Sequence, residues 1–221
     1  MHLIGSLYWY PWSHPAVNNC NSYLLDGTPR TLVDPGHKNY LHHLSRKMSE
    51  DGFSLESVQL ILLTHCHPDH MEGAEELVRS GAMAALHEKE ETFMMGEGKA
   101  FYEAAGEVAA SLEFRFLLQN GVLQLGNHEI QVIHTPGHSP GSMSLYLPIY
   151  RALITGDLLF KGGIGRVDLP GSNRNQLTES LAQVSGLHVE YLLPGHGDIV
   201  QGRDDFLRNL SLIQEMVVTL L

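Results

Sequence analysis

Leu60-Ile61-Leu62-Leu63-Thr64-His65-Cys66-His67-Pro68-Asp69-His70 decides how this chain folds. Four apolar residues are enough for a buried strand, and three imidazoles and one carboxylate follow within six positions. Left to themselves at a strand end, those groups would be costly to desolvate, so the segment reads as metal-ligating. In an extended backbone His65 and His67 project to the same side, which suits two bonds to one ion. Pro68 disfavours the helical region for His67, so the chain stays extended through that pair before it turns. Asp69 and His70 are then free to face a second ion. Cys66 alternates away from both flanking histidines and reads as a packed thiol.

Three further apolar runs end in the same way. Ile130 to Ile133 leads into His134-Thr135-Pro136-Gly137-His138, where Pro-Gly turns the chain and presents His138. His134, nearer the strand, is the competing choice and reads as a packed or hydrogen-bonded residue. Ala152-Leu153-Ile154-Thr155-Gly156 delivers Asp157, and Tyr191-Leu192-Leu193-Pro194-Gly195 delivers His196. Any one of these would fit a structural role equally well; their repetition is what carries weight. Thr64 and Thr135 stand beside ligand candidates and could fix imidazole tautomers by hydrogen bonds.

Composition narrows the rest. A chain of 221 residues suits one large domain, taken here as 1–221. With 25 acidic residues against 14 Lys and Arg and no basic run, nucleic acid is not an expected partner. No apolar stretch approaches membrane-spanning length, and Met1 to Tyr10 lacks the pattern of a signal peptide, so a cytoplasmic protein with no membrane partner is expected. Cys20 and Cys66 are too few for a disulfide framework and read as free thiols.

Strand-like runs occur at 3–8, 22–25, 31–33, 60–63, 83–86, 129–133, 142–147, 152–154 and 191–193. Helical periodicity covers 40–48, 71–79, 101–112, 175–184 and 206–220. Strands outnumber helices, which predicts an α/β (α+β) architecture of two packed sheets covered by helices. The segment 88–113 is charged, helical and rich in Phe, Met and Tyr. It reads as a helical insertion, either ordinary amphipathic packing or a lid or homodimer contact.

His-x-His-x-Asp-His at 65–70, followed in order by His138, Asp157 and His196, resembles the metallo-β-lactamase fold superfamily, and the likeness runs from Val33-Asp34-Pro35-Gly36 to Gly195-His196-Gly197. The resemblance implies a four-layer αβ/βα sandwich, two mixed sheets flanked by helices, with the metal site at one edge. It also implies that His65, His67 and His138 bind a first ion, that Asp69, His70 and His196 bind a second, and that Asp157 bridges them. Asp34 then matches the family's first motif, which supports the site without ligating, and a plain turn aspartate is the alternative. Seven imidazole and carboxylate donors without a thiolate suit zinc, iron or manganese, and ligand identity alone does not choose among them; two divalent ions are expected, with zinc named first.

Two such ions would hold a bridging hydroxide for attack on a carbonyl and stabilise the oxyanion, with Asp69 as the catalytic residue that orients the hydroxide or carries a proton to the leaving group. Gly156-Asp157-Leu158-Leu159-Phe160, Gly165-Arg166-Val167-Asp168-Leu169-Pro170-Gly171 and Thr135-Pro136-Gly137-His138-Ser139-Pro140-Gly141-Ser142 resemble the glyoxalase II-like (hydroxyacylglutathione hydrolase-like) branch. That resemblance implies cleavage of a small ester or thioester. It stops short of glutathione recognition: Arg166-Val167-Asp168 stands where those enzymes carry Lys-x-Tyr, and 25 residues follow His196 where they carry a long helical extension. Arg166 or Lys161 could hold a substrate carboxylate, and pairing of Arg166 with Asp168 is the structural alternative. Thr64-His65-Cys66-His67 also resembles persulfide dioxygenases of the same fold, which would use one iron on His67, His138 and Asp157. A non-catalytic metal-binding module is the third reading.

Overall fold

The computed structural model describes residues 1–14, 16–100 and 114–219. Its first sheet has seven strands in sequence order: β1 (His2–Ile4), β2 (Leu7–Tyr10), β3 (Ser22–Leu25), β4 (Thr31–Val33), β5 (Leu60–Leu62), β6 (Met83–His87) and β7 (Phe116–Leu118). Neighbours from β1 to β4 are antiparallel, and β4 through β7 run parallel. The second sheet holds β8 (Gly121–Leu125), β9 (His128–His134), β10 (Met143–Leu147), β11 (Ala152–Gly156), β14 (Tyr191–Pro194) and β15 (Val200–Gln201), in the order β15-β14-β11-β10-β9-β8. Only β11 and β14 are parallel within it. A small hairpin, β12 (Leu159–Phe160) with β13 (Gly163–Ile164), stands apart.

The apolar alternation along each strand explains why the sheets stack. On β5, Leu60 and Leu62 face the second sheet, while Ile61 and the following Leu63 face helices. On β11, Ala152 and Ile154 join the same inter-sheet core and Leu153 faces the opposite side. Strands buried on both faces need cover on both, and it comes from helices whose apolar residues recur at helical spacing. Leu41, Leu44 and Met48 of α1 (Leu41–Glu50) cover the first sheet, with Leu77 of α3 (Ala74–Arg79) and Phe93 and Met94 of α4 (Glu88–Met95). Leu177, Leu181 and Val184 of α5 (Arg174–Ser185), with Phe206, Leu210 and Ile213 of α6 (Arg203–Thr219), cover the second. The result is the helix–sheet–sheet–helix sandwich expected from the resemblance.

Some elements differ from the sequence expectation. Residues 3–8 form two strands, because Gly5 takes a left-handed φ of 55° and folds them into a hairpin. The helix expected over 71–79 is two pieces, α2 (Pro68–Met71) and α3. β7, β8 and the β12–β13 hairpin are additional. Of the segment 88–113, residues 88–95 form α4, whereas the helix expected over 101–112 falls outside the described residues. No helix of the described residues is long and apolar enough to cross a membrane.

Candidate metal centre

Strand direction places the candidate donors together. β4, β5, β11 and β14 all deliver their following residues to one edge of the paired sheets. His67 is extended (φ −66°, ψ 145°), and α2 begins at Pro68, a position where the missing N–H costs nothing. The backbone therefore changes from extended to helical in the middle of the motif, and its two halves face different neighbours.

His65, His67 and His138 bring one nitrogen each within 4.8 Å of one another, and Asp69, His70 and His196 form a second such group. Asp157 touches both. Its Oδ2 lies 3.5 Å from His138 Nε2 and 3.4 Å from His196 Nε2, and its Oδ1 lies 3.2 Å from His70 Nε2. Nitrogens of neighbouring imidazoles also converge, at 2.9 Å between His138 Nε2 and His67 Nδ1 and 3.3 Å between His70 Nε2 and His196 Nε2.

The opposite edge of four rings is held by an acceptor that fixes the tautomer. Nδ1–H of His65 donates to Thr64 Oγ1 (3.1 Å), that of His70 to Asp34 Oδ2 (2.8 Å), that of His138 to Arg166 O (2.9 Å) and that of His196 to Asn19 O (3.1 Å). Each then turns its Nε2 toward the cluster. His65 Nε2 is buried and has no hydrogen-bond partner, an arrangement costly unless a cation completes it. The donor set therefore fits divalent metal.

Charges follow the same geometry. Burial holds His65 well below its ordinary value, with His70, His67 and His138 adding to the effect. Burial, then His138, brings His67 down to about 3. Burial also opposes the charged forms of His70 and His196, but the facing carboxylates outweigh it. His70 is raised well above its ordinary value by Asp157 and Asp34, and His196 reaches about 9 through Asp157 and Asp69. Desolvation opposes charge on Asp69 and Asp157 as well, and the histidines overcome it and lower both carboxyls.

Asp34 is a supporting residue. Its carboxylate accepts from Thr64 N (2.8 Å), Thr64 Oγ1 (2.6 Å) and His70 Nδ1, from a backbone held at φ 52°. Thr135 stands elsewhere: its hydroxyl meets Ser144 Oγ at 3.0 Å, because the strand end turns it into the core and away from the imidazoles. His134 stacks on His87 with centroids 4.1 Å apart. Cys66 turns its thiol to Glu90 Oε1 at 3.0 Å. Arg166 and Lys161 do not join the cluster; both are exposed, and their cations pair with Asp168 (2.8 Å) and Asp198 (3.1 Å). Sequence reasoning missed Asn18, whose Nδ2 donates to Asp69 Oδ2 at 2.6 Å, and Asn21, whose Nδ2 donates to Pro194 O and Gly197 O around His196. Their one signal is the polar run Asn18-Asn19-Cys20-Asn21 before a strand.

A sandwich that gathers histidine and aspartate donors at the strand ends of both sheets defines a class of metal-dependent αβ/βα proteins. The chain belongs to the metallo-β-lactamase superfamily, whose family model matches residues 15–196. Over 206 residues it is 32% identical to the probable metallo-hydrolase YqgX of Bacillus subtilis, covering 87% of this chain and 94% of that protein. Hydroxyacylglutathione hydrolase GloC of Haemophilus influenzae is 28% identical over 186 residues, 82% of each chain. The solved structure of TTHA1623 in a di-iron-bound form superposes with a TM-score of 0.73 at 31% identity, covering 90% of this chain and 98% of that one.

Proposed function

We propose that the protein is a metal-dependent hydrolase of small ester or thioester substrates, with His65, His67 and His138 holding one divalent ion, Asp69, His70 and His196 a second, and Asp157 between them. The observation that carries this reading is the reach of Asp157 to imidazoles of both groups. Bound ions would bring a water's pKa toward neutrality and polarise the substrate carbonyl. Asp69 stays a carboxylate at neutral pH and accepts from Asn18, so it is placed to take a proton from water and pass it to the leaving group. Lys161 and Arg166 belong to the rim, where each would exchange its present aspartate for a substrate carboxylate.

The thioester class rests on the glyoxalase II-like motifs and on the relative named a hydroxyacylglutathione hydrolase. Zinc is the first choice, and iron is supported by the di-iron neighbour. Two free cysteines suit a reducing cytoplasm. The alternative is a one-iron reading on His67, His138 and Asp157; Asp69 and His70 suit both readings, and the metal count is what separates them. Metal analysis of protein purified without chelator, paired with a panel of thioesters, lactones and persulfides, tests the proposal. Two metals per chain with thioester hydrolysis support it; one iron with oxygen uptake on persulfides overturns it.

A further inference from the structure

A cavity of about 260 Å³ opens between residues 10–14, residues 19–22 and α1, and no candidate donor lines it. One wall is aromatic. Ring centroids are 5.0 Å apart for Trp12 and Tyr40, 5.5 Å for Trp12 and His43, and 6.4 Å for Tyr40 and His43. The indole is fixed in place, since Nε1 donates to Val17 O at 2.8 Å and the backbone N–H of Trp12 donates to Asn21 Oδ1 at 2.9 Å. A wall held in this way loses little freedom when a ring is laid against it.

The charge of the cavity is opposite to that of the chain. In a protein of net charge −11, the lining includes Arg46, Lys47, His14 and His43, and no carboxylate of the described residues. Lys47 already donates to Pro11 O, whereas Arg46 makes no side-chain hydrogen bond or ion pair among the described residues. The nearby Glu50 acts on Lys47. Desolvation, then His42, Arg46, Lys47 and His14, hold His43 below its ordinary value, in keeping with a locally positive patch.

We propose that this cavity is a binding site for a planar aromatic anion, its ring against the Trp12–Tyr40 wall and its anionic group on the Arg46 guanidinium. Indole and phenol faces offer large, rigid apolar area, and guanidinium pairs with oxyanions through charge-assisted hydrogen bonds. The site adjoins the candidate metal centre through the backbone. Asn19 and Cys20 line the cavity, and Asn19 O also accepts from His196 Nδ1 while Cys20 N donates to Asp69 O at 3.2 Å. The proposal does not depend on the hydrolase reading.

The test is calorimetric titration of the full-length, metal-loaded protein with 2-naphthalenesulfonate, a poor metal ligand, and with neutral 2-naphthalenemethanol. One saturable site is expected for the sulfonate, weakened about tenfold by Arg46→Gln and by Trp12→Leu. The neutral analogue should bind more weakly, lose affinity with Trp12→Leu and be unaffected by Arg46→Gln. Arg46 is exposed, so that variant keeps the fold even if the Trp12 variant does not. Absence of saturable binding, or sulfonate affinity unchanged in Arg46→Gln, overturns the proposal.

Discussion

Glu90 Oε1 lies 3.0 Å from Cys66 Sγ and 3.0 Å from Cys66 N, so one carboxylate oxygen accepts both the thiol and the backbone of the residue between His65 and His67. Its other oxygen accepts from Ser139 Oγ at 2.9 Å and Gly141 N at 2.6 Å, just past His138. Glu90 is fully buried, and its partners among the described residues are these hydrogen-bond donors. α4 thereby anchors the two loops that carry the first candidate donor group.

Glu90→Gln puts an amide NH2 where an acceptor is needed, leaving at least one buried donor facing another. A loss of about 1–3 kcal/mol in denaturant unfolding is expected, together with a fall in metal affinity of about 10–100-fold in chelator competition. Unchanged metal affinity in a folded variant would remove Glu90 from the site's support.

Metal loading should release protons. His70 and His196 are raised, His196 to about 9, so at neutral pH the metal-free chain carries protons that a metal must displace. Calorimetric heats of metal binding measured in buffers of different ionisation enthalpy should therefore diverge, and buffer-independent heats would contradict the assignment.

The same raised values give the metal-free protein a pH slope. A group raised on folding contributes stability that is fully present below its unfolded value, 6.5 for His196, and lost as pH rises through its folded value near 9. The thermal stability of chelated protein should thus fall as pH rises between those values, while metal affinity rises over the same window. Parallel slopes would count against the Asp157 and Asp69 contacts as their cause.

Asp69→Asn keeps size and removes the proton acceptor. Thioester kcat/KM should fall about 10²–10⁴-fold, with weaker retention of the second metal. Asn18→Ala removes one donor to the same carboxylate and should cost activity while leaving two metals bound. Equal metal loss in both variants would make Asn18 part of the binding framework instead.

Gly156 sits at φ 48°, and a Cβ there would lie 2.5 Å from Thr64 Oγ1. Gly156→Ala should displace Thr64 from Asp34 and destabilise the fold by about 1–3 kcal/mol. Urea midpoints with and without metal measure both effects, and a neutral substitution would show that the strand end gives way.

The candidate donors were legible because each group of them follows an apolar run, and an apolar run marks a strand whose end has to come out somewhere. Asn19 O and Arg166 O, which orient His196 and His138, were not: a backbone carbonyl has no signature in sequence. Glu90 was hidden inside a segment whose charge and periodicity read as an amphipathic insertion. β7 and β8 escaped because Phe116, Leu117 and Val122 are exposed at sheet edges, where the alternation that announces a buried strand is absent.

The segment 64–70 leaves the first sheet, whereas His138, Asp157 and His196 come from the second. Neither half of the chain holds a complete donor group, so each candidate group is completed only once the two sheets have docked. Metal added during refolding would then act late, as a latch on an assembled pair rather than a seed for either sheet, and it would slow unfolding more than it speeds folding.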